Sequence, residues 1–271
     1  MILRGNELNL NIVNRFSYHF KGVKMSDIES RIKIAPSILS ADFANLGDEV
    51  QRVERGGADI IHYDVMDGHF VPMITVGPLV LKRLKELSRL PFSTHLMVKN
   101  PERQIKTFCE AGADYLTIHA EEAKGHLDEI IQEMDSFGVV KGIAFDLGTN
   151  PRDARYHKIC EYIRDNKFDM VLILAVKAGA GGQPFNEEAL KTISYIRSLN
   201  PTIPIELDGG INYIPEIREK STAYLVAKAG AEIIVAGSKV FNPQFKQEDY
   251  QTPIQRIRAE ALSGYRASRA R

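Results

Sequence analysis

The sequence predicts a single-domain α/β protein folded as a (β/α)8 TIM barrel. Three observations support this prediction. Short apolar segments alternate with amphipathic ones along the chain, and a similar phrase recurs where a helical pattern ends and an apolar segment begins. The length of 271 residues also suits a barrel of this kind, which typically has about 250.

Eight apolar segments are the candidate strands. They are short and rich in Ile, Val and Leu, which is typical of parallel strands that are buried on both faces of a sheet. In chain order they cover residues 33–38, 59–64, 92–97, 115–119, 140–145, 169–176, 203–208 and 232–236.

Amphipathic stretches between these segments are the candidate helices, for example 45–55, 101–110 and 186–198. Each of the recurring phrases 56–59, 111–114 and 229–232 contains a glycine and leads into a strand. Glycine readily takes the left-handed conformation that ends a helix, so the repeats indicate βα units in series. The alternative is a doubly wound open sheet. A dinucleotide-binding version has little support because no Gly-x-Gly-x-x-Gly follows the first strand.

The composition is typical of a globular protein, with 44% hydrophobic residues and a formal net charge of zero. Zero net charge argues against nucleic-acid and membrane-surface partners, and we find no apolar run of about 18 residues. Cys109 and Cys160 lack metal-site spacing, so we expect free thiols and a cytoplasmic location. We expect residues 1–30 to form a disordered extension, 31–262 the barrel, and 263–271 a basic tail.

Polar residues stand where several strands end, which is where barrels place catalytic groups. His62 and Asp64 are two residues apart on the second strand and so point to the same face. His95 lies on the third strand, and Asp208 closes the seventh. Two imidazoles and two carboxylates suit one divalent cation such as zinc, iron, manganese or cobalt.

Glycine-rich segments follow the sixth, seventh and eighth strands, at 179–183, 209–210 and 236–238. Loops after the last two strands of a barrel often bind phosphate through backbone N–H groups and a helix N-terminus. The sequence therefore predicts a phosphate-bearing ligand.

Four segments closely resemble the ribulose-phosphate 3-epimerase family: IAPSILSAD at 34–42, HYDVMDGHFVP at 62–72, HLMV at 95–98 and DGG at 208–210. The likeness extends over residues 33 to 243. It implies an isomerase of the pentose phosphate pathway that inverts C3 of D-ribulose 5-phosphate through an enediolate and gives D-xylulose 5-phosphate.

The resemblance also implies residue roles. His62, Asp64, His95 and Asp208 match the metal ligands, and Asp64 and Asp208 match the acid/base pair on opposite faces of the substrate. Substrate-binding positions are matched by Ser37, Met66, His95, Met97, Gly179, Gly181, Gly182, Gly209, Gly210, Gly237 and Ser238. For Asp67, His69 and His119 we expect supporting or purely structural roles.

Some positions depart from the family pattern. The loop at 178–183 reads AGAGGQ where the family has Pro-Gly-Phe-Gly-Gly-Gln, and Leu174 replaces a pocket methionine. The segment 145–151 also differs and is one residue longer than its family counterpart. The substrate is therefore open between ribulose 5-phosphate and another ketose phosphate such as a hexulose 6-phosphate, and a non-catalytic sugar-phosphate-binding paralogue is a further alternative.

Related decarboxylase barrels carry Asp-x-Lys-x-x-Asp on the corresponding strand, and this chain lacks that lysine. The expected partners are a small ketose phosphate and further copies of the chain in a homo-oligomer.

Overall fold

Eight parallel strands form one sheet in the computed structural model, which describes residues 31–123, 125–214 and 216–269. The strands are β1 Lys33–Pro36, β2 Ile61–Met66, β3 Phe92–Met97, β4 Tyr115–His119, β5 Val140–Phe145, β6 Met170–Leu174, β7 Ile205–Asp208 and β8 Ile233–Ala236. Successive strands pair from β2 to β8, and β8 pairs with β1. A bridge between Ser37 and His62 joins the remaining edges and nearly closes the barrel.

Each strand is followed by an α-helix. The helices are α1 Leu46–Arg55, α2 Pro78–Lys85, α3 Ile105–Ala111, α4 Leu127–Phe137, α5 His157–Arg164, α6 Glu188–Leu199, α7 Thr222–Ala229 and α8 Gln251–Arg269. The predicted fold class is confirmed. The proposed extension at 1–30 lies outside the described residues.

The last helix continues past residue 262, where the sequence suggested that the barrel ends. Gly264 and Tyr265 are buried, and a Cβ at Gly264 would lie 2.1 Å from the carbonyl oxygen of Tyr224 on α7. Residues 263–269 are therefore the final turns of a packed helix rather than a separate tail.

The recurring Gly-Ala-Asp phrase has a physical explanation in the structure. Gly112 ends α3 in the left-handed conformation, with φ of 103°. The aspartate that follows then accepts a backbone N–H at the start of a neighbouring strand: Asp114 accepts from Phe92, the first residue of β3, and Asp59 accepts from Ile34, the second residue of β1, both at 2.7 Å. The phrase thus ends a helix and also anchors the start of a strand.

The second strand begins two residues later than the sequence indicated. The backbone N–H groups of Asp59 and Ile60 both point to the carbonyl oxygen of Ile34, so pairing with β3 starts only at Ile61. The strand then extends to Met66, and all six of its residues are buried. Consequently His62 and Asp64 lie within the strand and face the barrel interior.

None of the helices in the described ranges combines the length and apolar character needed to cross a bilayer.

Candidate active site

The four predicted ligand residues converge inside the barrel. One nitrogen or oxygen atom from each of His62, Asp64, His95 and Asp208 lies within 4.8 Å of the others. Oδ1 of Asp64 is 3.2 Å from Nε2 of His62 and 3.1 Å from Nδ1 of His95. Ligands about 2.0–2.2 Å from a tetrahedral cation are roughly 3.3 Å apart, so this donor set fits a divalent metal.

Asp208 stands slightly apart from the other three. Its Oδ2 lies 3.9 Å from Nε2 of His62, and its side chain is 19% exposed, whereas the two imidazoles have no exposed surface. Asp208 is thus the most exposed of the four residues.

His62 is held from behind by a carboxylate that the sequence analysis missed. Its Nδ1 lies 3.0 Å from Oε1 of Glu206, whose other oxygen accepts from the hydroxyl of Ser93 at 3.1 Å. A donor at Nδ1 leaves Nε2 free to bind a cation, and such carboxylate partners orient histidine ligands. A signal was present, because Glu206 is two residues before Asp208 and so shares its face of β7.

His95 has a different support. Its Nε2 lies 2.8 Å from Nε2 of His119, and Nδ1 of His119 lies 3.0 Å from Oε2 of Glu121. His119 therefore lies on the side of His95 that faces away from Asp64 and is not part of the cluster. Hydrogen bonds from His119 and Thr149 hold the pKa of Glu121 below its ordinary value, although burial opposes this.

Asp67 and His69 lie beyond the cluster. Asp67 accepts the backbone N–H groups of His69, Phe70 and Lys99 at 2.8–2.9 Å, which fixes the turn after β2 against β3. The side chain of His69 is 76% exposed. Both residues therefore shape the loop and do not face the cluster.

The two aspartates differ in their electrostatics. Burial would raise the pKa of Asp64, but the imidazoles of His62 and His95 hold it well below the ordinary value. Asp64 also accepts the hydroxyl of Ser37 at 2.5 Å. Burial, together with the charge of Asp64, raises the pKa of Asp208 to about 7.

The two imidazoles also differ. Burial would lower the pKa of His62, but Asp64 and Glu206 raise it well above its ordinary value. Burial lowers the pKa of His95 to about 4, although Asp64 opposes this. A cation that binds here must therefore displace protons from His62 and Asp208.

A cavity of about 480 Å³ opens over the cluster. Its wall includes nearly all the predicted substrate-binding and catalytic residues: Ser37, Asp64, Met66, Met97, Gly179, Gly181, Gly182, Asp208, Gly209, Gly210, Gly237 and Ser238. His95, for which we also predicted substrate contact, is fully buried beneath this wall. Its position favours the metal-ligand role over substrate contact.

One glycine of the wall is required by its surroundings. Gly210 has φ of 67°, and a Cβ there would lie 2.5 Å from Cα of Phe185. Both the left-handed conformation and the close backbone neighbour therefore exclude a side chain at this position.

A family model described as the ribulose-phosphate 3 epimerase family matches residues 33–241. The chain belongs to this family. It is 43% identical to the ribulose-phosphate 3-epimerase of Bacillus subtilis over 84% of this chain and 98% of that protein. It is 39% identical to the ribulose-phosphate 3-epimerase of Escherichia coli strain K12, over 84% and 95% of the two chains. A chloroplastic ribulose-5-phosphate-3-epimerase of Arabidopsis thaliana is 41% identical over 89% and 78%.

Solved structures with low sequence identity share the fold. An orotidine 5'-phosphate decarboxylase from Pyrococcus horikoshii has a TM-score of 0.59 at 16% identity, over 84% of this chain and 98% of that one. A thiamine phosphate pyrophosphorylase from Pyrococcus furiosus has a TM-score of 0.54 at 16% identity, over 87% and 99%. These likenesses establish the barrel architecture alone.

The loop after β6 is where this chain departs from the epimerase family pattern, and it is anchored at both ends. Ala178 packs against the apolar cluster of Met66, Val71 and Met97. Near the other end, the side-chain amide of Gln183 donates to the carbonyl oxygens of Lys177 and Ala180, both at 2.7 Å. Ala180 itself is exposed, so no large side chain covers the cavity at this position.

Three lysines that were not predicted from the sequence also lie on the cavity wall: Lys177, Lys220 and Lys239. Lys239 directly follows Ser238 of the predicted phosphate-binding loop. The only sequence signal for it was this position.

Proposed function

We propose that the protein inverts C3 of D-ribulose 5-phosphate to give D-xylulose 5-phosphate by proton transfer between Asp64 and Asp208. The observation that carries this proposal is the convergence of the two carboxylates on one cavity from different strands, β2 and β7. Epimerisation next to a ketone needs one group to remove a proton and another to return one on the opposite face.

The surroundings of the two aspartates suit these roles. Ser37 donates to Oδ2 of Asp64 and His62 lies against its Oδ1, so that this carboxylate is held in one orientation. Asp208, the most exposed residue of the cluster, can reach a substrate from another direction. When Asp64 takes the C3 proton, an enediolate forms, and Asp208 then supplies a proton to the other face. In the reverse reaction the two residues exchange roles.

We further propose that His62, Asp64, His95 and Asp208 hold one divalent cation, which can be zinc, iron, manganese or cobalt. A cation bound there would stabilise the negative charge that develops on the substrate oxygens. The donor set supports this assignment. Nδ1 of His62 and Nε2 of His95 are hydrogen-bonded to Glu206 and His119, which leaves Nε2 of His62 and Nδ1 of His95 facing the cluster.

For the phosphate we propose the glycine-lined end of the cavity. Gly209, Gly210, Gly237 and Ser238 lie on its wall and belong to the loops after β7 and β8. Backbone N–H groups without side chains in the way are suited to an anion. Lys239 adds a positive charge next to this loop.

One observation favours a second candidate substrate, a hexulose 6-phosphate. The alanines at positions 178 and 180 give the loop after β6 smaller side chains than the family pattern, which leaves more room above the cluster. Purified protein should therefore be assayed against ribulose 5-phosphate and hexulose 6-phosphates side by side. Turnover of neither would refute the epimerase proposal. The homo-oligomeric state and the cytoplasmic location stay predictions.

A further inference from the structure

A line of hydrogen bonds leaves the candidate metal cluster on the side of β4. It runs from Nε2 of His95 to Nε2 of His119 over 2.8 Å, and from Nδ1 of His119 to Oε2 of Glu121 over 3.0 Å. Neither imidazole has any exposed surface, so their ring nitrogens depend on partners within the protein. The line therefore ends at a carboxylate that lies outside the cluster.

The position of every proton along this line follows from the ligand role of His95. Nδ1 of His95 faces the cluster and must be unprotonated to bind a cation, so its Nε2 carries the hydrogen. Nε2 of His119 is then the acceptor, and its Nδ1 donates to Glu121. This arrangement needs an acceptor at the far end, and Glu121 supplies it.

The second oxygen of Glu121 holds the loop after β5. Oε1 accepts the backbone N–H of Asp146 at 3.0 Å and the hydroxyl of Thr149. In turn, Oδ1 of Asp146 accepts the backbone N–H of Ala178 at 3.1 Å. Ala178 belongs to the loop after β6, which forms part of the cavity wall. Glu121 thus belongs to two lines of hydrogen bonds: one leads through His119 to His95, and the other leads through Asp146 to Ala178.

We propose that Glu121 is a positioning residue that links the ligand His95 to the substrate-covering loop after β6. Its Oε2 fixes the orientation and tautomer of His95 through His119, and its Oε1 fixes the loop through Asp146. Glu121 does not line the 480 Å³ cavity and does not reach the cluster, so it acts only through these neighbours. The inference rests on the metal site of the proposed function and not on the identity of the substrate.

The change Glu121→Gln breaks this link with almost no change in shape. An amide has one oxygen and one NH2 group, whereas N–H donors face the Glu121 side chain from both His119 and Asp146. If the NH2 group faces His119, Nδ1 of His119 must become the acceptor, and its proton moves to Nε2. That proton then points at the N–H group of His95, so the hydrogen bond between the two histidines is lost. If it faces Asp146, that backbone N–H loses its acceptor. Either orientation damages one of the two lines.

Glu206→Gln is the matched control. Glu206 is also a carboxylate behind a ligand histidine, but its second partner is the hydroxyl of Ser93, which can accept as well as donate. Glutamine at position 206 therefore loses the charge and keeps both hydrogen bonds. Within the part of the chain that the structure describes, the side chain of Glu206 is hydrogen-bonded to His62 and Ser93 and not to the loop after β6.

The experiment measures two quantities on metal-stripped and reloaded full-length protein. The first is the affinity for Zn²⁺, determined by competition with a chromophoric chelator, and the second is KM for ribulose 5-phosphate at saturating Zn²⁺. For Glu121→Gln we expect Zn²⁺ binding to weaken by about 10–100-fold, the usual effect of losing such a partner, if the NH2 group faces His119, and KM to rise if it faces Asp146. Asp146→Ala should raise KM and leave Zn²⁺ affinity unchanged, because its backbone N–H still donates to Glu121.

The effects of Glu121→Gln and Asp146→Ala on KM should not be additive in the double variant, because both changes act on the same line of hydrogen bonds to the loop after β6. Any rise in KM for Glu206→Gln should be smaller than that for Asp146→Ala, because Glu206 has no hydrogen bond to the loop after β6 within the described residues. If Glu121→Gln retains both the wild-type Zn²⁺ affinity and the wild-type KM, the link is refuted.

A second variant covers the case in which Glu121→Gln fails to fold. His119→Phe keeps a ring in place beside Phe70, whose centroid lies 4.5 Å from that of His119, and removes the acceptor for His95. It should weaken Zn²⁺ binding with little change in KM, and wild-type Zn²⁺ affinity would overturn the proposal. If the wild-type protein lacks epimerase activity, the proposed function fails, while the Zn²⁺ affinities still decide whether Glu121 positions His95.

Discussion

Replacement of Glu206 by alanine tests how far the metal site depends on a residue that touches neither the cavity nor the cation position. The change removes the acceptor of both Nδ1–H of His62 and the hydroxyl of Ser93, which are buried. A buried donor without a partner costs about 1–3 kcal/mol, so we expect a loss of about 2–6 kcal/mol in the free energy of unfolding. Released from this bond, His62 also samples the wrong tautomer.

The expected effect on metal affinity is a decrease of about 10–100-fold. Glu206→Gln, which keeps both hydrogen bonds, should change the free energy of unfolding by only about 1 kcal/mol and should weaken the metal affinity less than the alanine does. Chelator competition gives the affinities, and urea unfolding of the metal-free proteins gives the stabilities. Equal metal affinity in wild type and Glu206→Ala would refute the reasoning.

Three further predictions follow from the site. Exhaustive chelation should abolish activity and lower Tm, because a ligand that binds only the folded state at about 100 times its Kd contributes about 2.7 kcal/mol; full activity in protein that elemental analysis shows to be metal-free would contradict the metal site. Metal affinity should rise as pH increases through about 7, since the cation competes with protons at Asp208, whose pKa is raised to about 7, and at His62; affinities that are equal at pH 6 and pH 8 would count against this. The double change Ala178→Pro, Ala180→Phe should raise kcat/KM for ribulose 5-phosphate by improving the cover of the cavity; if activity on a hexulose 6-phosphate falls instead, the smaller side chains serve a longer substrate.

The fold could be predicted from sequence because each βα unit carries its own signal. Short apolar segments and the glycines after the helices were sufficient for eight strands. The start of β2 was misplaced because residues 59 and 60 run directly into the apolar strand, yet their backbone N–H groups both point to the carbonyl oxygen of Ile34 and pairing with β3 starts only at Ile61. The sequence does not show which backbone N–H groups form hydrogen bonds outside a regular strand pair.

The cluster could be predicted in part because His62 and Asp64 share a strand face. Glu206 was missed because its partner His62 is 144 residues away in sequence. Glu121 lies only two residues after His119, but its contact with Thr149, 28 residues away, is not visible in the sequence. Only the register of the closed sheet, in which Asp64 stands opposite His95, brings these groups together. The residues that support the ligands therefore required the structure.

The most direct test of the two-aspartate reaction is the behaviour of Asp208→Asn in deuterated water. An asparagine there keeps the size of the side chain but cannot take or return a proton, so epimerisation should fall by a factor of about a hundred or more. Asp64 remains, and we expect slow exchange of the C3 proton of ribulose 5-phosphate without formation of xylulose 5-phosphate, followed by NMR. Retention of more than about a tenth of wild-type turnover would remove Asp208 from the acid/base pair and contradict the account.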